Sequence, residues 1–159
     1  MFFRRFVGAI GRILISVVFI ISALNKVFNW DEVLEGVITN LNEWLFYGVY
    51  YPWLDQALEL MMDFAPPILA VVTALELVGG ISLLLGIRPR VGAGLIILFL
   101  IPTTFFYHPF WFFYGDEREV QLMMFLKNCA IIGGLLHVTS IGRVIKKSEI
   151  LDAISRSNS

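Results

Sequence analysis

The stretch TALELVGGISLLLGIRPRVGAGLIILFLIPTTFFYHPFW, Thr73 to Trp111, decides the fold. It holds the end of one apolar run, which begins at Pro66, and the whole of a second; each run is long enough to cross a bilayer at roughly 20 residues per span. Only GIRPR, Gly86 to Arg90, separates them. Gly86 suits a helix C-cap and Pro89 stops a helix from continuing. A link that short makes the two helices antiparallel neighbours. One carboxylate, Glu76, stands inside the first run.

The rest of the chain follows the same pattern. Of 159 residues, 58% are hydrophobic and the mean hydropathy is +0.78. Soluble domains run at about 45–50% apolar. The length suits one domain, residues 1–159. Four membrane helices are expected, at about 4–27, 66–87, 90–111 and 120–140. Pro66 and Pro67 fall at the start of the second, where proline is tolerated. The first apolar run outlasts the h-region of a signal peptide and is read as a retained span.

Between the first two spans, residues of about 31–64 form an outer lid. Val33, Leu34, Val37, Ile38, Leu41 and Leu45 recur at helical spacing. A second helix is expected from about Leu54 to Phe64. Trp44, Phe46, Tyr47, Tyr50, Tyr51 and Trp53 are residue types that favour the membrane interface. The fold class is therefore an all-α membrane four-helix bundle with an amphipathic interfacial segment. A polar tail follows from about 141 to 159, fraying at its end.

Charge orients the bundle. One side carries Arg4, Arg5, Arg12, Arg88, Arg90, Arg143, Lys146, Lys147 and Arg156. The other carries Arg118 among ten acidic residues, from Asp31 to Glu119. Lys and Arg prefer the cytoplasmic side, so both termini are expected there and the lid outside.

A charge at mid-bilayer costs about 2.5–3.5 kcal/mol and usually faces the bundle interior. At 1.5 Å rise per residue, Glu76 lies about 15 Å below the outer end of its helix, and Lys127 about 10 Å below its own. Lys26 and His108 lie nearer the outer surface. Lys26, Glu76, His108, Lys127 and Asn128 come from four helices and converge on the outer half. They define a candidate ligand pocket floored by Glu76. Lys127 is expected to pair with Glu76. The net positive charge of such a pocket suits an anion, a carbonyl group or a quinone oxygen. The competing reading is a buried ion pair that only fixes helix register.

Other features narrow the choice. A single cysteine, Cys129, excludes an internal disulfide, and its expected role is apolar packing. His108 and His137 fall near opposite membrane faces, and no metal site is expected. Gly79-Gly80, Gly92, Gly94 and Gly133-Gly134 are expected to let helices approach closely. Pro102 should kink the third span, with Thr103 and Thr104 taking up freed carbonyls.

GRILISVVFIISALNKVFNW (11–30), the opening stretch, and QLMMFLKNCAIIGGLLHV (121–138) together resemble the DoxX family. The shared features are a Lys closing the first helix, Glu before Gly-Gly, a basic turn, a late His, and Lys-Asn followed by Gly-Gly-Leu-Leu. The resemblance implies a four-helix bacterial inner-membrane protein, and the family takes its name from a subunit associated with thiosulfate:quinone oxidoreductase. The family's recurrent polar positions correspond to Lys26, Glu76, His108, Lys127 and Asn128. The expected function is a redox-associated subunit that binds a quinone or small anionic ligand. Candidate partners are the lipid bilayer, a redox protein or a second copy, with no nucleic acid. The alternative is a non-catalytic membrane scaffold that recruits a partner.

Overall fold

The computed structural model describes residues 2–47 and 51–157. The described residues form six α-helices and one 3-10 turn, with no strand. They are α1 (Phe2–Phe28), α2 (Trp30–Tyr47), α3 (Pro52–Asp63), α4 (Ala65–Leu85), α5 (Pro89–Tyr107) and α6 (Gly115–Ser157), with the 3-10 turn at Phe110–Phe112. Four segments are long and apolar enough to cross a membrane: Phe6–Phe28, Ala65–Leu85, Pro89–Phe112 and Gly115–Ser140. The fourth span and the expected tail are one helix, because nothing between Gly115 and Ser157 breaks it. Tyr50 and the last two residues lie outside the described residues.

The spans pack in the order α1, α4, α5, α6. Helix α4 is the hub, with α1 on one side and α5 on the other. Its buried stripe is Leu69, Thr73, Glu76, Gly79, Gly80 and Leu83. Two adjacent glycines serve two neighbours. A Cβ on Gly79 would lie 2.7 Å from Ile96 Cγ1 and 3.0 Å from the Gly92 carbonyl on α5. A Cβ on Gly80 would lie 2.9 Å from Ile20 Cγ1 on α1. Gly92 returns the contact, its Cβ position lying 2.8 Å from the Gly79 carbonyl. The small-residue expectation holds at these three positions. It fails at Gly94 and Gly133, which have open space around them, while Gly134 meets only Ile15 at 3.7 Å.

The apolar core lies toward the α4–α5 turn. Phe19, Leu83, Ala93, Ile96, Phe99, Leu100 and Leu135 draw all four spans together there. Gly86 takes the left-handed conformation at the end of α4, with φ 69°. Inside α5, Pro102 removes one N–H. Thr103 Oγ1 donates to the Phe99 carbonyl at 2.8 Å and Thr104 Oγ1 to the Leu100 carbonyl at 2.6 Å. The threonines therefore serve the carbonyls just after Leu98, the one that the proline leaves free.

Helices α2 and α3 form the lid over the other end. Leu41, Trp44 and Leu58 make its buried core. Trp44 is not an exposed aromatic. It is buried, donates from Nε1 to the Phe106 carbonyl at 2.8 Å, and packs among Phe105, Phe106, Trp111 and Phe112. The lid is thereby latched to the end of α5. Phe46, Tyr47, Tyr51 and Trp53 remain exposed, as interfacial aromatics would be.

Candidate functional site

The centre of the site follows from two facing stripes. On α1, Ser16, Phe19 and Ala23 are buried at helical spacing, and Lys26 continues that face in the last turn. A cation there also faces the negative end of the helix dipole. On α4, Glu76 is 2% exposed. Lys26 Nζ reaches Glu76 Oε2 at 2.7 Å and Ser22 Oγ, one turn earlier, at 2.7 Å. This is the one ion pair among the described residues. An ammonium has three N–H donors, so one remains after these two bonds. The Lys26 side chain keeps 18% of its surface accessible.

The expected Glu76–Lys127 pair is not formed. Lys127 is exposed on α6, and its ammonium lies 3.0 Å from Met124 Sδ, one turn back. The reason is packing order. Helix α6 lies against α5, and α5 separates it from most of α4. Rotation matters as well. Asn128 is half-buried and shares the inward face of α6 with Leu135. Lys127, about 100° away around the helix, falls off that face. Cys129 also points outward and is exposed, against the packing role expected of it.

His108 closes α5, its own N–H bonding the Thr104 carbonyl at 3.2 Å. Its Nδ1 lies 2.9 Å from Gln121 Oε1 on α6. With the amide oxygen facing the ring, Nδ1 is the donor of this bond. The five sequence-selected residues therefore do not form one cluster. Lys26 and Glu76 are joined. His108 is joined to α6 through Gln121. Lys127 and Asn128 stand on different faces of α6. Sequence reading left Ser22 and Gln121 out of the site, although both are polar residues within or beside apolar runs. The spacing of Ser22, four before Lys26, was the available signal.

These features define an all-α membrane bundle with a charged pair buried between its first and second spans. Residues 8–109 match the DoxX family, and the chain belongs to it. No curated protein and no solved structure matches the chain.

Proposed function

We propose that this DoxX protein is a redox-associated subunit that binds a quinone or a small carbonyl or anionic ligand beside the Lys26–Glu76 pair. The observation that carries the reading is the free third donor of Lys26. It sits in an apolar span, next to a fully buried carboxylate, on a side chain that keeps an open surface. A donor held in a low-dielectric setting binds an oxygen far better than one in water. Ser22 and Glu76 hold the ammonium in place, so ordering it costs a ligand little.

The other polar residues take supporting roles. His108 exchanges protons at the mouth, since imidazole is the side chain suited to that work near neutral pH. Asn128 adds a donor and an acceptor from the α6 side. Lys127 attracts the anionic form of a ligand or reduced quinone. Its ammonium has no carboxylate partner among the described residues, so its counter-charge comes from a ligand or a partner protein. The excess of Lys and Arg on the side of the α4–α5 turn supports a bacterial inner-membrane protein with both termini cytoplasmic and the lid outside. A redox protein or a second copy is the partner in this reading.

The test is retention of quinone by protein purified in mild detergent, measured by extraction and absorbance. Wild type is expected to carry quinone, and Lys26→Met to lose it while remaining folded. Quinone-free wild type, or equal retention in Lys26→Met, defeats the reading.

A second reading has its own support. Glu76 is so thoroughly enclosed that the pair serves to register α1 against α4, and the protein is then a scaffold. Charge exchange separates the two. Full function in the Lys26→Glu, Glu76→Lys double variant favours the scaffold. A folded but inactive double variant favours the ligand site.

A further inference from the structure

The opposite end of the bundle holds a second cluster of charge, and no described side chain pairs with it. Arg12 stands on α1 about 21 Å from Lys26 along the helix. Its Nε is buried without a hydrogen-bond partner. Its Nη2 lies 3.5 Å from where a Cβ on Gly86 would be, so the guanidinium rests on the α4–α5 turn. That turn carries Arg88 and Arg90. Arg88 adopts φ 48°, the one positive φ outside glycine among the described residues. A side chain in that region costs about 1–3 kcal/mol and persists only where surroundings enforce it. Ser82 Oγ donates to the neighbouring Ile87 carbonyl at 2.6 Å.

We propose that Arg12, Arg88 and Arg90 bind the phosphate of an anionic phospholipid at this face of the membrane. Three observations lead to this ligand. First, none of the three forms an ion pair with any carboxylate among residues 6–47 and 51–140, whose side chains are described. Second, the turn lies between the end of one span at Leu85 and the start of the next at Pro89, the depth at which lipid phosphates lie. Third, α5 starts here with Pro89 in its first turn and no side-chain cap. Its first N–H groups thus add a positive helix end to the arginines. Arginine's planar fork matches a phosphate, and basic recesses between membrane helices take such headgroups. A zwitterionic lipid brings its own cation to the same place and is disfavoured.

Native mass spectrometry tests the proposal on full-length protein in mild detergent. The protein is offered equal amounts of phosphatidylglycerol and phosphatidylcholine. Wild type is expected to retain the anionic lipid by about tenfold or more, and Arg12→Gln, Arg88→Gln to bring the two near parity. Arg118→Gln, which removes a charge at the other end, is expected to change nothing. Arg12→Lys keeps the charge without the fork and is expected to fall between, which keeps the test usable if the double variant unfolds. An unchanged preference in the double variant, or in Arg12→Lys, overturns the proposal. So does displacement of the lipid by millimolar sodium phosphate, which would make the site one for a soluble anion.

Discussion

Two lysines stand in the lid-side half of two apolar helices, and the chain treats them oppositely. Lys26 has a carboxylate, a hydroxyl and the negative end of its own helix. Lys127 has a thioether sulfur. The residue type and approximate depth are the same. The neighbouring helix differs. Helix α4 carries the membrane-embedded carboxylate and offers it to α1, which packs on its glycine face. Helix α6 lies beyond α5 and is out of reach. Depth sets the cost of an embedded charge, and lateral helix order sets whether that cost is offset.

The largest predicted effect breaks the paired member. Glu76→Leu leaves the Lys26 ammonium buried and alone, and is expected to cost about 3–5 kcal/mol. Lys127→Met removes an embedded charge that no described carboxylate offsets, and is expected to leave stability unchanged or to raise it. Thermal unfolding in one detergent measures both. Equal losses would erase the contrast between the two lysines.

Next in size is the contact that gives α4 its place. Gly79→Ala puts a methyl 2.7 Å from Ile96 and is expected to cost about 1–3 kcal/mol by overpacking. Gly94→Ala, on the same helix pair but in open space, is expected to be neutral or to stabilise by up to about 1 kcal/mol. The same unfolding measurement decides, and a cost at Gly94 would show that α5 packs on a different face.

Smaller still is the lid latch. Trp44→Phe keeps a ring among Phe105, Phe106, Trp111 and Phe112 but loses the bond to the Phe106 carbonyl. About 1 kcal/mol is expected. Hydrogen exchange should quicken in α2 and α3 and stay unchanged in α4. Faster exchange in α4 would mean that the lid supports the ion pair directly.

The contrast also marks where sequence reading stops. The four spans, the α4–α5 turn and the lid helices were legible because apolar run length and helical spacing record them directly. Glu76 was legible as a site residue, since a carboxylate in an apolar run is costly wherever it points. Its partner was not legible. Depth placed Lys127 nearer to Glu76 than Lys26, yet depth carries no information on which helices touch. The face of α1 did carry it. Ser16, Ala23 and Lys26 share one side, and small residues there mark the side where a neighbour comes close. Trp44 was read by residue type as interfacial, and only tertiary packing around the 3-10 turn reveals it as a latch.

The glycine pair of α4 has a consequence for the carboxylate one turn away. With backbone contact to α5 at Gly79 and to α1 at Gly80, any roll of α4 about its axis drives it into one neighbour or the other. The azimuth of the helix is clamped from two directions. Glu76 therefore points at Lys26 without any bond of its own having to steer it. Two missing side chains aim the charged one.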